Sequence, residues 1–338
     1  MKKFFIFLCL GCLVFVSLFA KTPSVLIIGG GPCGLAAAIE AKEAGYQVRV
    51  VENRDFYERR QTLFLFESSL QLLKKWEVAL PAMKVIEGEG IESIGIVPIK
   101  ELEEGLEKRA LALGVEKIHG EFTKFHGEKH EAIVATPSGD RFFSYDLIVA
   151  ADGAHSRVRE ALGIQSTCFG KATASSTFIP CESSEPMGIS PIIEKDDYFL
   201  RKITLGIGSL VFMQGRSQNS ISEKQLQKAL RASGWENEAK MLHAKKVSFF
   251  VADIPVILAQ APRFYDENRG AILVGDAAAT ASFLQGRGAN TGLKTAALAG
   301  DFFKSKAEGK ASSYQSFQEG MQEATNALIE DSRFLFAP

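Results

Sequence analysis

Short apolar runs alternate with glycines and amphipathic stretches along most of the chain. Ser24-Val-Leu-Ile-Ile28 is apolar almost throughout and opens onto glycines, the pattern of a strand buried on both faces of a parallel sheet. Good helix formers fill residues 35–44, and Gly45 stands where a helix C-terminus favours glycine. Gln47-Val-Arg-Val-Val51 then reads as a second strand, so strand, helix and strand follow one another as a βαβ unit. A helix is predicted over residues 100–113, with Leu102, Leu106 and Leu113 on one face and Gly114 as its stop. Strands are predicted around 115–125, 132–136 and 141–143, with Pro137-Ser-Gly-Asp140 as a hairpin turn, and again over 146–150. From residue 166 to 262 the texture shifts to mixed strands, polar turns and one helix near 222–232, which marks a separate, substrate-side domain of α+β type. An apolar strand returns at Ala271-Ile-Leu-Val274, and a final helix is predicted over 312–330. The expected architecture is α/β, with a first domain formed discontinuously by residues 24–165 and 263–338.

The first twenty residues follow a different pattern. Met1-Lys2-Lys3 precedes a charge-free, apolar run from Phe4 to Ala20, then Lys21. A basic start, a short apolar stretch and a small residue at Ala20 are the features of a secretory signal peptide. Leu18 stands where such a site prefers a small residue, so an uncleaved membrane anchor through residues 4–20 is the competing reading. Either way the expected location is exported or membrane-associated, with a cytoplasmic face left open. The remaining composition, 46% hydrophobic and 23% charged over 338 residues with a net charge of −1, fits a globular core and gives nucleic acid no basic surface to bind. Cys33, Cys168 and Cys181 in the body show no metal-ligand spacing, and a Cys168–Cys181 bridge stays open beside three reduced thiols. No metal site is expected.

Gly29-Gly-Gly31-Pro-Cys-Gly34 satisfies G-x-G-x-x-G between a predicted strand and helix, and Glu52 ends the second strand at the spacing of a ribose-binding acid. Gly29 permits the tight turn, Gly31 lets a pyrophosphate approach the backbone, and Gly34 lets the helix pack against the strand. The helix N-terminus presents free N–H groups to the phosphates. An acid at position 52 disfavours a 2′-phosphate, which points to FAD or NAD in a Rossmann-type domain.

Two later motifs bear on that choice: Asp146-Leu-Ile-Val-Ala-Ala-Asp152-Gly153, and Gly275-Asp276 followed by Gly286-Arg-Gly288-Ala-Asn290. With the glycine loop, and in this order, they resemble the class A flavin monooxygenases of the p-hydroxybenzoate hydroxylase type. The stretch from Glu52-Asn53-Arg54 through Arg59 to Phe66, and Gly-Pro-Cys-Gly at 31–34, resemble the MICAL-type monooxygenases within that group. The resemblance implies a glutathione reductase-like FAD-binding domain. It places Gly29, Gly31, Pro32, Cys33, Gly34, Glu52, Asn53, Arg54 and Arg59 around the cofactor, together with Asp152, Gly153, Gly275, Asp276, Gly286, Gly288, Ala289 and Asn290. Asp276 would hold the ribityl chain, Gly286 to Asn290 would bring a helix N-terminus to the flavin edge, and Arg59 would reach across the cofactor. Lys100 stands where relatives carry a cofactor-contacting arginine. Ala279 and Phe283 replace a histidine and a proline of that group, and Lys294-Thr295 replaces an acid.

The activity implied is an NAD(P)H-dependent monooxygenase that hydroxylates an organic, aromatic small molecule with molecular oxygen through a flavin C4a-hydroperoxide. NAD(P)H would be a transient electron donor, because no second G-x-G-x-x-G builds a separate nucleotide domain. An FAD-dependent reductase or dehydrogenase without oxygen insertion, and an FAD-binding protein that has lost catalysis, are the alternatives. No protein acid or base stands out: His119, His126, His130, His155 and His243 lie on scattered segments. The substrate would be lined from residues 166–262.

Overall fold

The computed structural model describes residues 22–336 except 60, 89–90, 129, 181–186 and 248, and the side chains of 87–88, 91–92 and 249 are also left aside. The leader and Cys181 lie outside the described residues, so neither the signal-peptide reading nor the Cys168–Cys181 bridge is placed. Among the described residues no helix is long and apolar enough to cross a membrane.

Five parallel strands and an antiparallel edge strand form a six-stranded sheet. Spatially it runs Glu116–His119, Gln47–Glu52, Ser24–Ile28, Leu147–Ala150, Ala271–Leu273 and Tyr265–Asp266. Strand order reverses between Ser24–Ile28 and Leu147–Ala150, whose chains leave that point in opposite directions and open a crevice there. The helix Pro32–Glu43 crosses one face of the sheet. Proline at its first position costs no hydrogen bond, and its alanines let it lie close to both sheet and neighbours, buried from Gly34 to Ala41. The long helix Arg287–Ala307 packs beside it, and Ser313–Ser332 packs on that helix in turn.

Two small three-stranded sheets flank the large one. Glu121–Phe125, Glu131–Thr136 and Gly139–Ser144 form the meander that carries the chain between the third and fourth parallel strands. Thr62–Phe66, Ile91–Pro98 and Lys84–Gly88 form the other, not anticipated from the sequence.

Residues 167–280 supply a seven-stranded antiparallel sheet whose long members are Thr167–Ile179, Tyr198–Leu205, Gly208–Gly215 and Phe249–Gln260. Side chains alternate across it, as strand geometry requires. Leu200, Val211 and Met213 face the helices Glu223–Ala232 and Glu236–His243, the second of which the sequence reading lacked. Ser222 and Gln225 form a capping box at the start of the first. Phe199, Ile203, Leu210 and Phe212 face the other way, packing with Phe64, Ile96, Leu284 and Leu335 in a core shared with the cofactor side. The short strand Ala279–Thr280, part of the third motif, closes this sheet by pairing with Ala259 and Gln260.

Candidate functional site

The three glycine motifs converge on the crevice at the strand-order reversal. Gly29 takes φ +105°, where a side chain is strained, and a Cβ there would overlap the Ala151 carbonyl oxygen. A Cβ at Gly34 would overlap the Gly29 carbonyl oxygen and lie 3.1 Å from the Ala151 Cβ. Gly31 is different. It caps the helix Pro32–Glu43 with no side-chain hydrogen bond, and a Cβ there would meet only the Arg59 Nη2, 3.7 Å away. Uncapped helical N–H groups, open backbone and a nearby guanidinium are what a pyrophosphate requires.

Glu52 is buried and its carboxylate is already filled with hydrogen bonds. Its Oε2 accepts from the Gly30 N–H and Arg54 Nη2, both at 2.8 Å; its Oε1 accepts from the Arg54 N–H at 2.9 Å and Nε at 3.0 Å. Burial opposes its charge, but the Arg54 side-chain and backbone bonds prevail and hold the carboxyl below the usual carboxylate range. A carboxylate offers about four acceptor sites, so a ribose hydroxyl would have to share or displace Arg54. Asn53, beside it, is exposed.

Arg54 and Arg59 both bind Glu103, which is fully buried on the helix Ile99–Ala112; Arg54 does so at 3.1 Å. Tyr57 lies between Arg54 and Lys117, each within about 5 Å of its ring, and donates its hydroxyl to the Gly30 carbonyl at 3.1 Å. Neither Glu103 nor Tyr57 was singled out in the sequence. Glu103 lies 49 residues from Arg54, Tyr57 reaches Lys117 still farther along the chain, and no short motif records such spacings. Lys100, on the same helix, pairs with Glu104 at 3.6 Å on the exposed face.

Asp152 accepts from the N–H groups of Arg157 at 2.8 Å and Val158 at 3.2 Å, at the start of the helix Arg157–Ala161 that Ser156 caps by accepting from the Arg159 N–H at 3.0 Å. Burial raises its carboxyl above the ordinary value against these bonds, and its Oδ1 is buried without a partner. Gly153, at φ +83°, turns the chain away. Arg159 ties this motif to the next by donating to the carbonyls of Ala154 at 2.8 Å and Ala277 at 2.9 Å.

Asp276 is solvent-exposed although protein atoms crowd it, which describes the wall of a cleft. Desolvation pushes its carboxyl up while Arg59 pulls it down. Among the described residues its carboxylate has no hydrogen-bond donor, so it remains available for a hydroxyl. Gly275 donates its N–H to Thr295 Oγ at 2.9 Å, so the residue standing in place of the relatives' acid has a task of its own.

Cys33 packs its Sγ into a notch where a Cβ at Gly275 or Gly292 would come within 2.7 or 2.5 Å of it. Although the residue is part-exposed overall, burial of the thiol, reinforced by Asp276 and opposed by Arg59, pushes its pKa up to about 12. The thiol is therefore a packing group, and the backbone N–H is what this residue offers a phosphate. At pH 8 a pKa near 12 leaves a thiolate fraction of about 10⁻⁴. Iodoacetamide at that pH is expected to label the exposed Cys168 and spare Cys33 in the folded protein, with both modified after unfolding. Equal labelling of the two, read by peptide mass mapping, would contradict the packing.

Gly286, at φ +71°, opens the helix Arg287–Ala307, and Gly288 and Ala289 at its start are part-exposed. Asn290 points elsewhere. Its Nδ2 donates to the carbonyls of Phe64 and Gly286 at 2.6 and 2.7 Å, and its Oδ1 accepts from Phe66 N–H and Ser69 Oγ at 2.8 and 2.6 Å. Every valence of that amide is spent joining the strand Thr62–Phe66 to the helix, so only its backbone is left for a ligand. Among the described residues no three His, Cys, Asp or Glu side chains gather to hold a metal.

Glycine cradle, open helix N-terminus, free Asp276 and unpaired Asp152 Oδ1 suit a dinucleotide, and the continuation to the helix at Gly286 suits an attached flavin. Residues 23–180 match the family model described as pyridine nucleotide-disulphide oxidoreductase. The human [F-actin]-monooxygenase MICAL2 is 35% identical over 139 residues, which cover 38% of this chain and 7% of that much longer protein. Among solved structures, p-nitrophenol 4-monooxygenase PnpA from Pseudomonas putida DLL-E4 superposes with a TM-score of 0.71 at 16% identity, covering 93% of this chain and 87% of its own. Aklavinone-11 hydroxylase, solved with FAD and aklavinone, gives 0.73 at 17% identity over 94% and 69% of the two chains. At such identities these likenesses concern the fold.

Proposed function

From a chain that is homologous to the MICAL monooxygenases and has the fold of the FAD-dependent hydroxylases, we propose an FAD-dependent monooxygenase that takes electrons from NAD(P)H and hydroxylates a small organic substrate. The observation that carries this reading is the convergence of Gly29–Gly34, Asp152 and Gly275–Asp276 on one crevice. When bound, FAD supplies the redox chemistry, accepting electrons from a nicotinamide and passing them to oxygen. The chain's own residues bind and orient. The N–H groups of Cys33 and Gly34 and the Arg59 guanidinium would hold the pyrophosphate, and Asp276 a ribityl hydroxyl. Glu52 and Arg54 would meet the ribose together. The helix starting at Gly286 would set positive potential at the flavin's far edge, where negative charge is stabilised. The inner face of the large antiparallel sheet is apolar, with Phe199 and Phe212 on it and Phe283 of the following turn against Phe212, which favours an apolar substrate on that side. Export or membrane association through residues 4–20 belongs to the proposal on their sequence alone.

The test is an absorption spectrum of the purified full chain, followed by NADPH or NADH in air with an oxygen electrode. The expected result is a flavin spectrum that bleaches with one nucleotide and recovers as oxygen is consumed. Bleaching that air does not reverse, with the electrons leaving only to an added dye, selects the dehydrogenase reading. A protein that takes up no flavin even after reconstitution overturns the proposal.

A further inference from the structure

In the turn Ser282–Gln285 before the long helix, three of the four residues are gripped by side chains from elsewhere. Ser282, fully buried, donates its hydroxyl to Gln214 Oε1 at 2.5 Å and accepts from the Leu284 N–H at 3.2 Å. Gln214, also fully buried, passes its amide to the Leu335 carbonyl at 2.7 Å. Gln285 donates to the Asp331 carbonyl at 2.7 Å and accepts from Ser332 Oγ at 2.9 Å. The Leu284 carbonyl, two residues before Gly286, accepts Arg201 Nη1 at 2.6 Å, while Arg201 Nε donates to the Ser190 carbonyl at 3.3 Å.

Arg201 is the unusual member. It sits between Leu200 and Lys202 on the strand Tyr198–Leu205 and shares its face with the apolar Phe199 and Ile203. It is part-buried, bonds two carbonyls, and has no carboxylate partner among the described residues. Arg287, at the first position of the helix, does have one, Asp331 at 2.9 Å. A desolvated cation near the positive end of a helix dipole is unfavourable on both counts. Desolvation weakens the guanidinium's hold on its proton, in keeping with that cost. Such a cation is tolerated where its geometry is needed or where negative charge arrives.

We propose that Arg201 is a positioning residue. From the substrate-side sheet it holds the turn Ser282–Gln285, and with it the N-terminal end of the helix Arg287–Ala307, in register with the cofactor. Its charge adds to that helix end. The link to flavin rests on the function proposed above; the hold on the turn does not.

The two parts are tested separately. In FAD-free protein, Arg201→Met is expected to speed hydrogen exchange at the Leu284 and Gly286 amides at least about tenfold, with exchange in Ser24–Ile28 and Pro32–Glu43 unchanged. Unaltered exchange in the turn of a folded variant overturns the positioning role, as does a rise spread evenly through the core strands. In FAD-loaded protein, sulfite forms an anionic adduct whose Kd reads positive potential at the flavin. Arg201→Met is expected to raise that Kd about tenfold, and Arg201→Lys, which keeps the charge, to return it to within about threefold. A Kd unmoved in Arg201→Met overturns the link to the cofactor while leaving FAD binding itself intact.

Discussion

Alanine at position 34 is expected to weaken FAD binding at least about a hundredfold, equivalent to about 2.7 kcal/mol. Helix propensity alone argues the opposite, because glycine inside a helix costs about 1 kcal/mol relative to alanine. Space decides the sign. The added Cβ would overlap the Gly29 carbonyl oxygen and press on the Ala151 Cβ at 3.1 Å. Both neighbours belong to the loop ends that form the crevice, and neither is a flexible side-chain tip. The helix must therefore move away from the strand, and overpacking of this kind costs about 1–3 kcal/mol. The same movement withdraws the N–H groups of Cys33 and Gly34 from the pyrophosphate. Gly206→Ala is the control, since a Cβ there meets nothing within 4 Å. Equilibrium titration of FAD into the stripped proteins checks both. Near-native affinity in Gly34→Ala would show that the loop does not cradle phosphate.

Glu103→Leu is expected to lower stability by about 2–3 kcal/mol, or roughly 4–8 °C in melting temperature. Glu103 is fully buried and neutralises two guanidiniums, those of Arg54 and Arg59. Removing one partner of a buried ion pair costs about 3–5 kcal/mol, but Arg54 and Arg59 are 32% and 42% exposed and can turn partly toward water, which lowers the figure. Arg54 also keeps Glu52 at 2.8 Å. The neighbouring Glu104→Ala is expected to change stability by less than about 0.5 kcal/mol, because its partner Lys100 lies on an exposed face. Two glutamates one residue apart would then differ severalfold in effect. Similar melting temperatures for the two variants would mean that water solvates the Arg54–Glu103–Arg59 group far better than its burial implies.

What was legible in the sequence is what depends on near neighbours. Ser24–Ile28, the glycines after it and Gln47–Glu52 form one continuous chain segment, and backbone geometry alone assigns each glycine its place. The strand Thr62–Phe66 was passed over because its pairing partner, Ile91–Pro98, follows only after an intervening helix. Asn290 shows the same limit inside the site. The family resemblance implied a ligand contact there, whereas all but one of its side-chain partners stand about 220 residues earlier, at Phe64, Phe66 and Ser69. Glu52 was found, but its saturation by Arg54 was not, because charge spacing does not reveal which lone pairs are filled. Glu103, Arg159 and Arg201 act through contacts that exist only after the chain has folded.

The large antiparallel sheet leaves and rejoins the rest of the molecule along adjacent paths. Thr167 pairs with Gln260, and the strands before and after the excursion, Leu147–Ala150 and Ala271–Leu273, lie side by side. The excursion is thus a graft on a two-stranded stem, set between neighbours of a sheet that would be complete without it. Such a joint tolerates exchange: the grafted portion can diverge or be traded for another without breaking the parallel strands that carry the dinucleotide motifs. Sequence kinship with other proteins should then be uneven along this chain, firmer in the parallel-sheet portion on either side of the stem than in the excursion itself.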